Sequence, residues 1–231
     1  MSTYGHSMPL PVAGRNTVYG AALNYHSTLE SLGGALSSKP YWAPPMAPVL
    51  YIKPPNTWIR DGDPIPLPAD IAAVQAGVTL AAVIGRDMFR IKPESALSHV
   101  EGFTVVNDVT VPHSDYFRPE IQNRCRDGFC PIGSQLVGPR EIKALDALEL
   151  RVWVNAQLVC LESTRGLVRS VATLLSDVSE LFTLAAGDIV LIGSAPSAPL
   201  VRAGDRVAVE IEGLARVENP VVAEPDGRRS S

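Results

Sequence analysis

The pattern of hydrophobic and polar positions along this chain predicts a protein built mainly from strands. Six segments have the apolar, β-branched or alternating character of buried strands, namely residues 17–23, 47–52, 71–84, 101–110, 189–192 and 206–211. Residues 148–154 and 157–161 flank Asn155 and Ala156, a spacing that predicts a hairpin. The last two of the six strands each follow a Gly-Asp pair, which favours a turn.

Only one segment has the periodicity of a long helix. Apolar residues recur there at spacings of three and four, at Leu167, Val168, Val171, Leu174, Leu175, Val178, Leu181 and Phe182. Ser163 or Thr164 is placed to cap its first amides. A second, short helix is predicted over residues 26–36, interrupted by Gly33 and Gly34.

The remaining segments suggest one domain with polar ends. Residues 1–15 are predicted to be a flexible segment or an edge strand, residues 16–222 the domain, and residues 223–231 a polar tail. Residues 111–138 form a long irregular connection, and such connections in compact domains are usually functional.

The amino-acid composition and the net charge limit the classes of protein to which this chain can belong. Hydrophobic residues make up 46% of the chain and charged residues 19%, which is enough for a packed core. The net charge of −4, with scattered Lys and Arg, argues against nucleic acid as a partner. We see neither a run of 18 apolar residues nor a leader peptide, and therefore expect a cytoplasmic protein without a membrane partner. Cys125, Cys130 and Cys160 fit free thiols in a reducing compartment, with a redox or nucleophilic thiol as the alternative.

Seven motifs in chain order resemble the fumarylacetoacetate hydrolase superfamily. They are LNY at 23–25, YIKPP at 51–55, AAVIG at 81–85, GFTVVND at 102–108, RDGFCP at 126–131, LAAGD at 184–188, and GD at 204–205 followed by ENP at 218–220. The resemblance implies an α+β, β-rich fold, a mixed β-roll with a few flanking helices.

Two further motifs resemble one subgroup of that superfamily. KPYWAPP at 39–45 and CRDGFCPIG at 125–133 are similar to the N-terminal-type half of the isomerase/decarboxylases of 4-hydroxyphenylacetate (homoprotocatechuate) degradation. The resemblance implies action on 5-carboxymethyl-2-oxohex-3-ene-1,7-dioate and 2-hydroxyhepta-2,4-diene-1,7-dioate. It also implies a homodimer, or a hetero-oligomer with a C-terminal-type subunit.

The superfamily's metal ligands are mostly missing from this chain. Relatives hold Mg²⁺ or Mn²⁺ with a Glu-x-Glu pair and an Asp, because hard cations prefer several anionic oxygens. The Glu positions fall here on Gly77 and Thr79, and Asp108 is the one retained position. We therefore expect no metal in this chain, and a metal in a partner subunit. Asp70 and Glu101, together with Asp108, are the alternative substitute ligands.

Most of the other candidate site residues also follow from the resemblance. Lys53 and Arg124 are catalytic candidates on that ground, and His113 is a candidate general base because it lies in the loop after Asp108. Substrate contacts are expected from Lys53, Arg124, Arg126, Asp127, Thr164, Gly193 and Ser194. For Lys53 the alternative is an exposed lysine at a strand end, and for Arg126 and Asp127 an internal ion pair.

The superfamily's water-activating His-x-x-Glu pair is absent. Its positions are occupied by Thr28 and Ser31, while His26 and Glu30 lie nearby, out of register, and could form a displaced pair. Three functions stay open. The chain is a subunit of an isomerase/decarboxylase, a non-catalytic paralogue that binds a small dicarboxylate or stabilises a metal-bearing partner, or a metal-dependent hydrolase or tautomerase that uses the substitute ligands.

Overall fold

The computed structural model describes residues 6–7, 11, 14–113, 116, 120–194 and 197–224. The strands in this part of the chain are β1 His6–Ser7, β2 Val18–Ala22, β3 Val49–Lys53, β4 Trp58–Ile59, β5 Ile65–Leu67, β6 Val74–Gln75, β7 Val78–Ile84, β8 Val100–Asn107, β9 Cys130–Pro131, β10 Gln135–Leu136, β11 Glu149–Val154, β12 Gln157–Ser163, β13 Ile189–Leu191, β14 Leu200–Val201, β15 Arg206–Ile211 and β16 Ala215–Ala223. The α-helices are α1 His26–Leu32, α2 Pro93–Ala96, α3 Ile121–Arg124 and α4 Val171–Leu181. Single 3₁₀ turns lie at Gly33–Ser37, Pro55–Thr57, Leu97–His99, Leu145–Ala147 and Thr164–Gly166.

Two five-stranded sheets carry most of the core. The first has the order β3-β2-β13-β7-β8, and the second the order β12-β11-β15-β16-β5. β7 is buried along its whole length, which explains its continuous apolar run. Three two-stranded pairs, β1-β10, β14-β6 and β4-β9, complete the pairing among the described residues. The predicted α+β, strand-rich class is confirmed.

The hairpin of β11 and β12 forms where the sequence predicts it. Asn155 and Ala156 both have positive φ, 51° and 65°, as the two central residues of a type I′ turn require. This turn matches the twist of the flanking strands, so the two strands pair directly.

The long helix is shorter than its apolar periodicity suggests. α4 begins at Val171, and its cap is Ser170, whose hydroxyl accepts from the Thr173 amide. Ser163 caps instead the 3₁₀ turn that precedes it. The prediction of a helix starting near Leu167 is therefore wrong at its N-terminus, because a side chain closer to the helix satisfies the first free amides.

Further differences lie in the short elements and at the chain ends. The sequence reading missed β16, which runs to Ala223, the first residue of the predicted tail. It also treated residues 111–138 as irregular, although they contain α3, β9 and β10. Within the predicted flexible N-terminal segment, His6–Ser7 form β1. Most of that segment lies outside the described residues, and so does the tail from residue 225. Among the described helices, none has the length and apolar character needed to cross a membrane.

Candidate functional site

A cavity of about 150 Å³ lies beside the first sheet. Small side chains of β2, the helix α1, the segments around β6 and β7, and the irregular connection after β8 surround it. Its lining residues are Ala21, Ala22, Leu23, Asn24, Thr28, Ser31, Tyr51, Gln75, Gly77, Asp108, Thr110, His113, Tyr116, Arg124, Ser194 and Ala198. The volume is below the range of about 300–1,000 Å³ usual for drug-sized ligands, so it fits a small molecule.

Strand register brings Gly77, Asp108 and Ser194 together. Val78 is paired with Asn107 across β7 and β8, and the Asp108 amide donates to the Gly77 carbonyl at 2.7 Å. Ser194 follows β13, which pairs with β7, and places its hydroxyl 2.5 Å from Asp108 Oδ2. The site is therefore built on hydrogen-bonded neighbours of one sheet.

Asp108 is fully buried and is surrounded by donors. Its Oδ1 lies 2.8 Å from Lys53 Nζ, and its Oδ2 lies 2.6 Å from Arg124 Nη1. The Tyr51 hydroxyl also donates to Oδ2, at 2.6 Å. Burial alone would raise the pKa of Asp108, but Lys53 and Arg124 outweigh it and hold that pKa far below its usual value. The carboxylate is therefore ionised: its Oδ2 accepts three hydrogen bonds, whereas its Oδ1 is compensated by the charge of Lys53 and accepts no hydrogen bond among the described residues.

Lys53 is enclosed beneath the cavity and is absent from its lining. Its ammonium donates to the carbonyls of Val109, Phe129 and Arg124 at 2.7, 2.9 and 3.0 Å, and the residue is 0% exposed. The expectation of a charge projecting into the pocket, and the alternative of an exposed lysine, are both corrected. The lysine is drawn inward because three carbonyls and a carboxylate compensate its desolvation.

A row of alternating charges continues from Asp108 to the cavity wall. Arg124 donates through Nη1 to Asp108 and through Nε to Glu120, and its guanidinium lies 4.2 Å from the centre of the Tyr51 ring. His113 Nε2 lies 2.9 Å from Glu120 Oε2. The row therefore runs Lys53, Asp108, Arg124, Glu120, His113, with each neighbour of opposite sign when His113 is protonated.

The surroundings of His113 favour its protonated form. Its Nδ1 lies 2.9 Å from the Val111 carbonyl and its Nε2 lies 2.9 Å from Glu120 Oε2, so an oxygen lies beside each ring nitrogen. Burial lowers the pKa of His113, but the bonds to Glu120 and Val111 outweigh it and raise that pKa above its usual value. A protonated ring with two occupied nitrogens is better suited to donate a proton or attract an anion than to act as the general base that the sequence suggested.

The other predicted contacts lie away from the cavity lining. Arg126 Nη1 lies 3.7 Å from Asp70, while Asp127 accepts from Asn56 Nδ2 at 2.7 Å, so these neighbours do not form the predicted pair with each other. Thr164 is buried, and its hydroxyl joins the Leu148 amide to the Leu145 carbonyl. Gly193 donates its amide to the Thr79 hydroxyl at 3.2 Å.

Two residues that the sequence analysis missed belong to the site: Tyr51 lines the cavity, and Glu120 lies behind the lining between Arg124 and His113. Tyr51 and Glu120 were not candidates, although each has a signal in the sequence. Tyr51 stands two residues before Lys53 on β3, and residues i and i+2 of a strand share a face. Glu120 stands four residues before Arg124, a spacing that favours an ion pair. On α1, Thr28 and Ser31 line the cavity, whereas His26 and Glu30 are exposed and outside the lining.

The residues around Asp108 do not fit a divalent metal of the superfamily type. Two cations and two hydroxyls already occupy the carboxylate, so an incoming cation would meet positive charge. A Cβ atom on Gly77 would stand 2.8 Å from the Asp108 carbonyl and 3.2 Å from the Ser194 side chain. Thr79 is buried and bonded to Gly193. Asp70, Glu101 and Asp108 are not gathered into a cluster of three potential ligands anywhere in the described residues.

The thiols are reduced and differ in their surroundings. Cys130 is buried, and burial raises its pKa to about 12, which disfavours the thiolate. Burial also raises the pKa of the half-buried Cys125 and of Cys160. The three sulfurs are free of disulfides, as the sequence predicts.

Comparison with known proteins agrees with this architecture. The family model for the fumarylacetoacetate (FAA) hydrolase C-terminal domain matches residues 17–222. The chain belongs to this family. A 4-hydroxyphenylacetate degradation bifunctional isomerase/decarboxylase from Salmonella dublin is 38% identical over 216 residues, covering 94% of this chain and 49% of that protein. The chain thus spans about half the length of this protein and of a relative with the same name from Escherichia coli.

Two solved structures illustrate the likeness in fold. The 5-carboxymethyl-2-hydroxymuconate delta-isomerase of Mycobacterium smegmatis superposes with a TM-score of 0.79 at 28% identity, covering 95% of this chain and 83% of that one. A maleylpyruvate hydrolase of Sphingobium sp. SYK-6, in complex with manganese (II) and pyruvate, has a TM-score of 0.76 at 23% identity, covering 95% and 74%. The relatives' names support an enzyme of this general class.

Proposed function

We propose that this chain is the metal-free half of an isomerase/decarboxylase that acts on small unsaturated oxo acids. Its substrates in this proposal are 5-carboxymethyl-2-oxohex-3-ene-1,7-dioate and 2-hydroxyhepta-2,4-diene-1,7-dioate, and it works with a C-terminal-type partner subunit. Support comes from the similarity to bifunctional enzymes of twice its length. The observation that carries the proposal is the compensation of the Asp108 charge by Lys53 and Arg124, with Tyr51 and Ser194 donating to its Oδ2.

Arg124 is the group that would bind a substrate carboxylate. Its Nε and Nη1 are taken by Glu120 and Asp108, while Nη2 has no acceptor among the described residues. The ring of Tyr51 and the two carboxylates fix the guanidinium plane, so little rotational entropy is lost when a ligand binds. Burial lowers the pKa of Arg124, but Asp108 outweighs it and raises that pKa, so the charge persists throughout the working pH range.

His113 is the residue suited to proton transfer. It lines the cavity and faces Glu120, which raises the pKa of His113 and stabilises the imidazolium. Converting a 2-hydroxy-2,4-diene into a 2-oxo-3-ene removes the proton of the hydroxyl group and adds a proton at C5. In this proposal the hydroxyl proton leaves to solvent, the nearby charge of Arg124 stabilises the resulting dienolate, and His113 donates its proton to C5 and regains one from solvent.

Decarboxylation makes a stronger demand, because the electrons of the broken C–C bond need an electron sink at the 2-oxo group. Cationic side chains stabilise an enolate less well than a divalent metal does. The proposal therefore assigns the metal-assisted step to the partner subunit, and assigns to this chain carboxylate binding and a part of the isomerisation.

Turnover by separate and combined chains tests this division of labour. The purified full chain, a C-terminal-type half from a relative, and their mixture are each assayed with Mg²⁺ or Mn²⁺ for decarboxylation and for isomerisation. We expect metal-dependent decarboxylation in the mixture and none with this chain alone. Robust metal-dependent decarboxylation by this chain alone contradicts the proposal. Inactivity of every combination favours the non-catalytic paralogue instead.

A further inference from the structure

The charges around the cavity add up to a single positive charge. Lys53, Arg124 and His113 supply three cations, and Asp108 and Glu120 supply two anions, in one connected row. Of the residues described as lining the cavity, Asp108, His113 and Arg124 are the charged ones. Since unpaired charge is costly to bury, this cavity is matched to one carboxylate.

The wall formed by α1 is polar but uncharged. Thr28 and Ser31 stand three residues apart and therefore share a face of the helix, and both line the cavity. The Ser31 hydroxyl donates to the Thr28 carbonyl at 2.8 Å, which leaves its oxygen as an acceptor. The Thr28 hydroxyl has no hydrogen-bond partner among the residues that the structure describes.

These hydroxyls discriminate between ligand end groups. A hydroxyl on the ligand can donate to Ser31 and accept from Thr28, and a keto oxygen can accept from Thr28. A carboxylate at the same place would face the acceptor side of Ser31 and would find no cation there to compensate its desolvation.

We propose that Thr28 and Ser31 bind an uncharged oxygen of an organic acid whose carboxylate is held at Arg124, and thereby select ligands with one carboxylate inside the cavity. This deepens the proposed function, on which it rests for the carboxylate at Arg124. In a longer dicarboxylate, the second carboxylate stays outside the cavity, and the ligand's hydroxyl or keto oxygen contacts α1.

A matched pair of ligands tests this selection with the full chain alone. Glutarate and 5-hydroxypentanoate have the same chain length and differ in whether the second end is charged. NMR titration at pH 6, where His113 is protonated, measures both affinities. We expect the wild type to bind 5-hydroxypentanoate at least as tightly as glutarate. The combined Thr28→Val and Ser31→Ala variant should lose about tenfold or more of its affinity for the hydroxy acid.

One further variant and two control variants make the outcome decisive. Ser31→Lys should raise the affinity for glutarate about tenfold, because it adds a cation at the α1 wall. The control variants His26→Gln and Glu30→Gln alter exposed residues of the same helix outside the lining, and should bind both acids as the wild type does.

The results separate this inference from the proposed function. A wild-type preference for glutarate of more than about tenfold, or a preference that the Thr28 and Ser31 changes leave untouched, overturns the inference. Turnover in the mixed-subunit assay would then still support the proposed function. Failure of both acids to bind overturns the inference together with the carboxylate site at Arg124.

Discussion

Lys53 and Asp108 form an ion pair that is closed off from solvent on both sides, with Nζ and Oδ1 2.8 Å apart and both side chains 0% exposed. The lysine therefore contributes to the cavity indirectly, by fixing the charge and position of a carboxylate that does line it. The ion pair therefore stabilises the fold and also keeps Asp108 charged at the wall of the cavity.

Removing one partner of the Lys53–Asp108 ion pair should lower the stability of the fold. Lys53→Met leaves Asp108 with less compensation and three carbonyls without their donor, so we expect a loss of about 3–5 kcal/mol in the free energy of unfolding. Urea unfolding measures the loss, with Lys143→Met as the exposed control. The double variant Lys53→Met, Asp108→Asn should lose less than the two single changes added together. Simple additivity would show that the pair is not coupled.

Gly77 is predicted to be intolerant of any side chain. Gly77→Ala places a methyl group 2.8 Å from the Asp108 carbonyl, and overpacking of this kind costs about 1–3 kcal/mol. Gly34 is the matched control, because a Cβ there meets nothing within 4 Å, and Gly34→Ala should change stability by less than about 1 kcal/mol. Thermal unfolding of the two variants side by side provides the comparison. Equal stability of the two variants would contradict the close contact between residue 77 and Asp108.

The His113–Glu120 pair should make stability depend on pH. The raised pKa of His113 gives a contribution that is complete below the unfolded value of about 6.5 and is lost as pH rises through the folded pKa. Burial raises the pKa of Glu120, but His113 and Arg124 outweigh it, so its contribution is present above about 4.3 and is lost in acid. The stability difference between wild type and His113→Gln should thus be larger at pH 6 than at pH 9. A difference that does not fall across this range would argue against an imidazolium at His113.

Much of the fold could be predicted from the sequence, because the information was local. The apolar run of β7, the alternation in β11 and the Asn155–Ala156 turn each specify their own structure. The start of α4 was misplaced because apolar periodicity continues past the residue that caps the helix. β16 was missed because Glu218, Asn219 and Pro220 interrupt its apolar pattern.

The site was harder to predict than the fold. The resemblance named Asp108, Arg124, His113 and Ser194, and the structure places all four at one cavity. It could not show that Lys53 turns inward, because this depends on three carbonyls contributed by distant parts of the chain. Nor could it show that Ser194 lies against Gly77, a contact created by the pairing of β13 with β7.

Metal binding by the intact wild-type chain is the most direct test of the claim that Asp108 is satisfied by protein cations and holds no divalent ion. Calorimetric titration with Mn²⁺ is compared with the same titration of Asp108→Asn. Because Lys53 and Arg124 already compensate the carboxylate, we predict no saturable binding up to millimolar Mn²⁺ in either protein. Stoichiometric binding by the wild type that Asp108→Asn abolishes would contradict this account.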